Sequence, residues 1–203
     1  MELTRSEMNF HKFEKGVTEK VIEENKERFR DDIDRMIASA IYQAEHEANS
    51  HRKFHVGAVA ATYDMGTHEY QVGGSGNYKP WEVRPEGEEK ACAERLATED
   101  ARNDDTVYVV GIVIASKETH ADPNAHAEHP TLHPCPECQQ MFADNPGTFR
   151  DDTLLVTVHY TVEEVLNDDG TSDMKAKVVS REMFTLPEFH DLHITQKGDA
   201  SLN

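Results

Sequence analysis

The sequence predicts an α/β fold in which a mixed sheet of about five strands carries helices on both faces. The first observation is that strand-length segments rich in Val, Ile and Ala alternate with segments in which apolar residues recur at helical spacing. The second is that the segment from Thr106 to Ser116 is apolar almost throughout, which is typical of a crossover strand covered on both faces. Together they predict that strand, helix and strand alternate through the middle of the chain.

The first helical segment lies near the start of the chain. Residues 1–16 mix charges without a period, and we expect them to form a loosely held tail. A helix is predicted from Thr18, a suitable N-cap, to about Arg30. A second helix follows or continues it, because apolar residues from Ile33 to Ala44 recur three and four positions apart and form one face that can pack on a sheet.

The strands and the remaining helices are predicted from apolar runs and from the turns between them. Gly73 to Asn77 is expected to form a turn-rich loop whose backbone can approach a ligand. Asn167 to Gly170 is expected to form a turn between two strands. The predicted strands are 53–61, 68–72, 106–116, 153–160, 162–166 and 175–184, and the predicted helices are 88–101, which carries Cys92, and 135–144.

One domain accounts for most of the chain. A length of 203 residues with 37% hydrophobic content is enough to bury one substantial core, and no second domain is required. We assign residues 1–30 to a partly helical N-terminal extension, residues 31–190 to the α/β domain and residues 191–203 to a C-terminal tail.

The net charge of the chain is strongly negative. It contains 21 basic and 39 acidic residues, which gives a formal charge of −18. Such a surface repels phosphate backbones instead of releasing their counterions. An adaptation for solubility is the simplest explanation of the acidity. We therefore expect a small-molecule substrate, and no nucleic acid polymer, as the binding partner.

The expected compartment follows from what the sequence lacks. No apolar run reaches the length that spans a membrane, so no membrane association is expected. The segment from Met1 to His11 lacks the basic and apolar regions of a signal peptide. We therefore expect a cytoplasmic protein, in which thiols stay reduced and a group of cysteines indicates metal binding or catalysis rather than disulfides.

All three cysteines of the chain lie in two short stretches, Cys92-Ala93-Glu94 and Pro134-Cys135-Pro136-Glu137-Cys138. Cys135 and Cys138 are three residues apart, which at the start of a helix points both sulfurs at one ion, and the free N–H groups and dipole there stabilise thiolates. Zinc is the expected metal, and three thiolates leave its fourth position open for water, as in catalytic sites. Glu94 is close enough to Cys92 in sequence to act on that water as a general acid and base without ligating the metal.

Two other interpretations of these residues stay open. A structural zinc could be completed by one of the twelve histidines of the chain. His126-Ala127-Glu128 also forms a His-x-Glu motif, but it precedes Cys135 by only nine residues, too few for a helix and a crossover strand between them. The surrounding loop, residues 117–134, is expected to carry surface histidines, with adventitious metal binding or a cover over the pocket as alternatives. These histidines are His120, His126, His129 and His133.

The two cysteine stretches resemble the zinc site of the cytidine deaminase superfamily, in which Cys-Ala-Glu is followed, after a strand, by Pro-Cys-x-x-Cys. Cys-Ala-Glu-Arg at 92–95 is similar to the free-nucleoside cytidine deaminases and the blasticidin-type deaminases. The resemblance spans about residues 33–160. It implies a three-layer α/β/α fold and a zinc ion held by Cys92, Cys135 and Cys138.

The resemblance also implies roles for residues around the metal. Glu94 would move protons during hydrolytic deamination. The guanidinium of Arg95 would donate to a thiolate sulfur and offset the negative charge of the site. Ala93 would lie at the substrate, and so would Phe54, which belongs to a Phe-x-Val-Gly-Ala segment and would otherwise simply fill the core.

Two further likenesses concern the sugar and the assembly. Asn77 falls on the Asn of a sugar-binding Asn-x-Glu motif, but Lys79 stands where that motif has Glu and could instead face an anionic group of the substrate. Leu186-Pro187-Glu188-Phe189 resembles, one residue short, a Leu-Pro-x-x-Phe tail whose aromatic ring reaches a neighbouring subunit's site. The second likeness implies a homo-oligomer, either a dimer or a tetramer.

The predicted function is zinc-dependent hydrolytic deamination of a free amino-pyrimidine nucleoside, with cytidine or deoxycytidine as the leading substrate. Two rival functions stay open. Deamination of a different aminated heterocycle, such as a blasticidin-like or modified nucleoside, is supported by Lys79. A non-catalytic, zinc-stabilised binding module would keep the cysteines but would not need Glu94.

Overall fold

The structure is a computed structural model that describes residues 19–50, 53–79, 91–119, 129–167 and 169–199. The side chains of Lys79 and of residues 194–199 lie outside this description. Three features singled out in the sequence also lie outside the described residues. They are the predicted tail over residues 1–16, His120 and the motif His126-Ala127-Glu128.

The described residues form five α-helices and seven strands. The helices are α1 (Glu19–Tyr42), α2 (Ala93–Ala97), α3 (Glu99–Asn103), α4 (Pro136–Asp144) and α5 (Leu186–Asp199), with a π-helical turn over Gln43–Glu47 after α1. The strands are β1 (Asn49–Ser50), β2 (Val56–Asp64), β3 (Glu69–Gly76), β4 (Tyr78–Lys79), β5 (Val107–Ser116), β6 (Phe149–Leu166) and β7 (Ser172–Thr185). Among these helices, none is both long enough and apolar enough to cross a membrane.

Five of the strands form one mixed sheet in the order β3–β2–β5–β6–β7. Within this sheet β5 and β6 run parallel, and the other neighbouring pairs are antiparallel. A parallel pair needs a crossover connection, and helix α4 lies in the connection from β5 to β6. The predicted mixed sheet of about five strands is confirmed.

Helix α1 covers one face of the sheet with the apolar face predicted from Ile33 to Ala44, whose apolar residues are all buried. The helix runs unbroken for 24 residues, because its apolar spacing continues through the boundary that the sequence suggested near Arg30. Phe29 is fully buried, and Asn25 donates a hydrogen bond to the hydroxyl of a core tyrosine. Residues 19–30 therefore belong to the same helix and pack on the same core as the segment that follows.

Two glycines let α1 approach the sheet. A Cβ at Gly57 of β2 would lie 1.9 Å from the carbonyl oxygen of Ala40 in α1. A Cβ at Gly111 of β5 would lie 2.6 Å from the ring of Phe29. Both distances are shorter than a real Cβ can accept, so the missing side chains set the depth at which the helix packs.

Helices α2 to α5 contribute to a second apolar cluster on the opposite face of the sheet. This cluster joins Ala93, Ala101, Phe142 and Phe189, one from each helix, with side chains of β2, β5 and β6. Successive side chains of a strand point to opposite faces, so β2 and β5 supply both this cluster and the one under α1. The predicted three-layer α/β/α arrangement is confirmed.

Two local predictions near the cysteines are wrong. Residues 73–76 form no loop, because they continue β3 and pair with residues 57–60 of β2. The ladder of hydrogen bonds to β2 outweighs the weak strand preference of the glycines. The helix predicted over 88–101 begins only at Ala93, since the backbone of Ala91 exchanges two hydrogen bonds with Tyr78, at 2.9 and 3.0 Å, and is extended.

The last part of the sheet is a long hairpin followed by a helix. The predicted pairing across the turn at Asn167 to Gly170 is confirmed, and β6 is one continuous strand where two were predicted. Gly170 has a φ of 84°, a left-handed conformation that glycine adopts without strain. Helix α5 follows β7 directly and continues to Asp199, through the segment that the sequence suggested as a tail.

Candidate active site and metal centre

Two helix starts bring the three cysteines together. Cys92 and Cys135 each precede a helix, α2 and α4, and each has an extended backbone, with ψ angles of 152° and 162°. Pro136 occupies the start of α4, where its fixed φ suits a helix and its missing N–H has no intrahelical partner to lose. Cys138 lies in the first turn of α4, so its sulfur can face the same point as that of Cys135.

Short-range hydrogen bonds fix the turn that carries Cys92 and Glu94. Ala91, which precedes Cys92, is paired with Tyr78 at the end of the β2–β3 hairpin. The carbonyl oxygen of Cys92 accepts a hydrogen bond from the N–H of Leu96 at 3.2 Å. The hydroxyl of Thr98 donates to the carbonyl oxygen of Glu94 at 2.7 Å. The turn is therefore anchored both to the sheet and to the start of α3.

The sulfurs of Cys92, Cys135 and Cys138, which we call the thiol cluster, are placed for one metal ion. All three lie within 4.8 Å of one another, and the Sγ atoms of Cys92 and Cys135 are 3.6 Å apart. Zinc–thiolate bonds are about 2.3 Å long, so two sulfurs on a tetrahedral zinc lie about 3.8 Å apart. Cys92 and Cys138 are buried and Cys135 is half-buried. The number, type and spacing of the donors fit zinc.

Hydrogen bonds inside the thiol cluster separate the acidities of its members. The pKa of Cys135 lies well below its usual range, first because the thiol of Cys138 donates to it, and then because the thiol of Cys92 does. The N–H groups of Cys138 and Glu137 at the start of α4 lower this pKa further. The pKa of Cys92 is raised to about 11, chiefly by its hydrogen bond with Cys135. The start of α4 thus stabilises a thiolate, which is the form that binds metal.

Glu94 lies inside the site. The residue is only 5% exposed and belongs to the first turn of α2. The pKa values of Cys92 and Cys138 are raised mainly by hydrogen bonding with Cys135, and the negative charge of Glu94 raises both further. That charge therefore acts on two of the three sulfurs at short range. Acidic side chains are rarely buried to this extent without a partner or a function.

Two arginines follow Glu94 in α2 and α3. Arg95 is predicted to donate to a sulfur, and the structure gives it a contact through its carbonyl oxygen, which accepts a hydrogen bond from Nη2 of Arg102 at 2.9 Å. The pKa of Arg102 is lowered, first by burial and then by the charge of Arg95, while Glu99 and Cys138 oppose the shift. Arg102 is thus a cation close enough to interact with the thiol cluster. Sequence reasoning missed it, because the predicted helix ends at residue 101 and Arg102 lies on a helix separate from that of Arg95.

The residues predicted to contact the substrate lie on the cysteine side of the sheet. Phe54 is half-buried and packs against the apolar cluster that contains the fully buried Ala93. Asn77 is 1% exposed, and its side chain is engaged by backbone groups. Its Nδ2 donates to the carbonyl oxygen of Phe54 at 2.9 Å, and the N–H of Val56 donates to its Oδ1 at 3.0 Å. These bonds join the start of β2 to the end of β3.

Lys79 lies in the short strand β4. The backbone of this strand pairs in parallel with β1 through Asn49–Tyr78 and Ser50–Lys79. Tyr78 also bridges to Ala91, so β4 lies directly beside the chain that leads into Cys92. The expected role of the Lys79 side chain stays a prediction.

A second group of side chains that could hold a metal ion lies on the loop before Cys135 and on β7, with a neighbouring histidine on α5. We call it the histidine cluster, and its members are His129, His133, Glu182 and His193. The side chain of His133 is only 7% exposed, so the expectation of a surface histidine is wrong there. Burial lowers the pKa of His133, and its hydrogen bond with Glu182 opposes that shift. The local signal for this group was the four-residue spacing of His129 and His133, whereas Glu182 is 49 residues beyond His133.

No family model matches the chain, and no curated protein matches it. Among solved structures, the chain is similar to the cytidine deaminase from Burkholderia pseudomallei at 17% identity, with a TM-score of 0.39, over 70% of this chain and 89% of that chain. It is also similar to the cytidine deaminase from Mycobacterium leprae at 15% identity, with a TM-score of 0.36, over 70% of this chain and 91% of that chain. The three-cysteine cluster fits the zinc motif of the deaminases that the sequence resembles. At identities of 17% and 15% these structures do not define the chemistry of the chain, which is argued from its own residues and their geometry.

Proposed function

We propose that the protein is a zinc-dependent hydrolytic deaminase that acts on a free amino-pyrimidine nucleoside, with cytidine or deoxycytidine as the leading substrate. The observation that carries this proposal is the convergence of three cysteine sulfurs beside a buried glutamate, Glu94. A structural zinc site has four protein ligands, whereas the described residues bring three to the thiol cluster. A catalytic site uses the fourth position for water and a nearby carboxylate as general base, so both features favour catalysis.

Zinc would be held by Cys92, Cys135 and Cys138. When bound, it supplies Lewis-acid chemistry, because it lowers the pKa of a water molecule in its open position. The residues of the chain then have three tasks, which are to hold the substrate next to that water, to exclude bulk solvent, and to move protons.

Glu94 is the residue that moves protons. Deamination forms a bond from the water oxygen to the amino-bearing ring carbon and breaks the bond from that carbon to the amino nitrogen. The carboxylate of Glu94 takes a proton from the water and delivers it to the adjacent ring nitrogen. It then transfers the second proton of the water to the amino group, which leaves as ammonia, so Glu94 ends the cycle ionised.

The burial of Glu94 suits this task. With 5% of the residue exposed, the carboxylate has little contact with bulk water, and a substrate beside it would be its main proton partner. The bond from the Thr98 hydroxyl to the Glu94 carbonyl holds the short helix α2 in place, so the carboxylate keeps its position during the reaction.

The substrate class is a free small molecule. A net charge of −18 disfavours a nucleic acid polymer, and the half-buried ring of Phe54 near Ala93 offers a flat apolar contact for a heterocycle. A homo-oligomer, either a dimer or a tetramer, belongs to the same proposal.

One observation favours a second candidate, a deaminase of a different aminated heterocycle such as a blasticidin-like or modified nucleoside. The side chain of Asn77 is committed to the backbone of Phe54 and Val56, and so has less capacity left for sugar hydroxyls. In addition, Lys79 stands where a carboxylate would accept from those hydroxyls. Both features weaken recognition of an unmodified ribose without affecting the reaction itself.

The test is ammonia release from a panel of cytidine, deoxycytidine, blasticidin-like compounds and modified aminopyrimidine nucleosides. The zinc-loaded protein should release ammonia from at least one of them, and Glu94→Gln should slow the release by about 10²–10⁴-fold. Glu99→Gln is a matched control, because Glu99 is exposed on the neighbouring helix α3. Zinc-loaded protein that releases no ammonia from any member would overturn the proposal and favour the non-catalytic zinc module.

A further inference from the structure

The histidine cluster lies outside the proposed active site and is built from three separate parts of the chain. His129 and His133 come from the loop that ends at Cys135, Glu182 from the edge strand β7, and His193 from helix α5. One donor atom each from His129, His133 and Glu182 lies within 4.8 Å of the other two. Imidazole nitrogen and carboxylate oxygen are common ligands for zinc and for neighbouring divalent metals.

The ring of His133 is at the centre of the cluster and is held in one orientation. Its Nε2 lies 3.1 Å from Oε2 of Glu182, and its Nδ1 lies 3.1 Å from Nε2 of His193. The rings of Phe184 and Phe189 pack edge-on against it, with centroids 5.5 and 5.3 Å away. A half-buried aromatic wall therefore fixes the imidazole, and such fixing is a requirement of a preorganised ligand.

His129 lies over the face of the His133 ring, and its imidazole would have to turn for the in-plane lone pairs of both rings to point at one ion. The two imidazoles are stacked, with centroids 4.0 Å apart and planes 20° from parallel. The hydroxyl of Thr131 donates to Glu182, and a further bond of 2.7 Å joins Thr131 to Thr157 of β6. These contacts hold the carboxylate on the side of the cluster that faces the imidazoles.

The distances match those between two ligands of one ion. Ligand atoms about 2.1 Å from a metal lie about 3.0–3.4 Å apart in octahedral or tetrahedral sites, and the Nε2–Oε2 separation of 3.1 Å falls in that range. A hydrogen bond has the same length, and a chain from His193 through His133 to Glu182 would satisfy His133. The metal interpretation adds a third donor atom, from His129, which lies within 4.8 Å of the donor atoms of both His133 and Glu182.

We propose that the histidine cluster is a second metal site, which takes a divalent cation of the zinc and nickel class through His129, His133 and Glu182. His193 would be a positioning residue: with metal on Nε2 of His133, the proton of His133 would be on Nδ1 and would be donated to Nε2 of His193, 3.1 Å away. The net charge of −18 on the chain favours the accumulation of cations at its surface.

The two sites differ in the metals they prefer. Thiolates select soft or borderline ions, whereas two imidazoles and one carboxylate suit Zn²⁺, Ni²⁺ and Co²⁺. Metal at the histidine cluster would cross-link the loop before Cys135 to β7 and α5. It would add stability that grows with the logarithm of one plus the ratio of metal concentration to Kd. This inference concerns metal binding alone and does not depend on the proposed deaminase activity.

The test is equilibrium dialysis of the full chain against Zn²⁺, after removal of metal with a chelator, followed by elemental analysis. The wild-type chain should bind two equivalents, while His129→Gln and Glu182→Gln should each bind one, with the second site weakened at least about tenfold. His190→Ala is a matched control and should keep two equivalents, because His190 is exposed on α5 one turn before His193. Circular dichroism shows whether each variant is folded. If Glu182→Gln does not fold, His129→Gln still tests the proposal, because His129 lies in a loop.

A second measurement separates the two sites. Co²⁺ bound to thiolates shows strong sulfur-to-metal charge-transfer absorption, which imidazole and carboxylate ligands do not produce. A Cys92→Ser, Cys135→Ser double variant should still bind one equivalent of Co²⁺, without that absorption. Adding His129→Gln to this variant should remove the remaining Co²⁺ binding. If the wild-type chain binds only one equivalent, or if His129→Gln retains both, the cluster is a hydrogen-bond chain only and the proposal is wrong.

Discussion

The thiol cluster and the histidine cluster are both groups of side chains that could hold a metal ion, but the chain assembles them differently. The thiol cluster is built at the starts of α2 and α4, and two of its three members are three residues apart. The histidine cluster takes its members from a loop, a strand and a helix, and His133 and His193 are 60 positions apart. Backbone geometry places the cysteines, whereas packing of side chains against Phe184 and Phe189 places the central imidazole.

The two clusters also differ in charge. Three thiolates with a divalent ion leave a net charge of about −1, whereas two neutral imidazoles and one carboxylate leave about +1. A negative metal site is a weak Lewis acid, so it benefits from nearby cations, and Arg102 is one that interacts with Cys138. The comparison teaches that zinc at the thiol cluster would depend on the surrounding positive charge, while metal at the histidine cluster would depend on the rigidity of its aromatic wall.

The largest effect is expected from removing thiol ligands. A Cys92→Ser, Cys135→Ser double variant should lose the zinc of the thiol cluster and several kcal/mol of unfolding free energy, because metal-binding free energy of about 10–16 kcal/mol is coupled to folding in small zinc domains. Elemental analysis and urea unfolding measure the two losses. Full zinc occupancy at the thiol cluster in this variant would show that the ligand set is wrong.

The next effect is expected from Glu94→Gln. The amide has nearly the same shape as the carboxylate and cannot carry a proton, so turnover should fall by about 10²–10⁴-fold while zinc content and fold are kept. Steady-state kinetics on whichever nucleoside the wild type deaminates gives the ratio, with Glu99→Gln as the control. Turnover near the wild-type rate would reduce Glu94 to a carboxylate that stabilises the start of α2.

A smaller effect is expected from Asn77→Ala. This variant tests whether the Asn77 side chain stabilises the fold or binds the sugar of the substrate. Removing the side chain leaves the N–H of Val56 and the carbonyl of Phe54 without their partner, at a cost of about 1–3 kcal/mol of unfolding free energy for a buried group. Urea unfolding measures this cost, and Asn103→Ala, an exposed position on α3, should change it little. Unchanged stability with a large rise in KM would assign Asn77 to the sugar instead.

The smallest effect is expected at Lys79. If its ammonium replaces a carboxylate that accepts from sugar hydroxyls, Lys79→Glu should raise kcat/KM for cytidine about tenfold, equivalent to about 1.4 kcal/mol. Lys79→Ala separates loss of the cation from gain of the acceptor, and Lys175→Glu on the exposed face of β7 is the control for added negative charge. Efficient deamination of cytidine by the wild type, unaltered by either change, would show that Lys79 does not face the substrate.

Short-range patterns were sufficient for most of the architecture. The helical period from Ile33 to Ala44, the apolar run from Thr106 to Ser116 and the turn at Asn167 to Gly170 each depend on residues within about one element, and each is found in the structure. The spacing of Cys135 and Cys138, followed by a helix, likewise needs no distant contact. Local chemistry and local geometry coincide in these segments.

Other features depended on partners far away in the sequence. Gly73 to Gly76 carry little strand preference and became a strand because β2 offers a ladder of hydrogen bonds. Cys92 stays outside the helix because Ala91 is paired with Tyr78. The seven-residue spacing of Arg95 and Arg102 is visible in the sequence, but only the packed site shows that Arg102 lies near Cys138.

The sequence by itself determined the sheet, the crossover and the cysteine motif, because side-chain periodicity and helix-start chemistry act over a few residues. Only the tertiary structure decided that the Asn77 side chain bonds to the backbone of Phe54 and Val56. It alone also decided that Glu182 and His193 both contact His133. Those contacts join segments about 20 to 60 residues apart. They form only where the sheet and α5 bring the segments together, since nothing in a local pattern specifies which distant carboxylate or imidazole will face a given side chain.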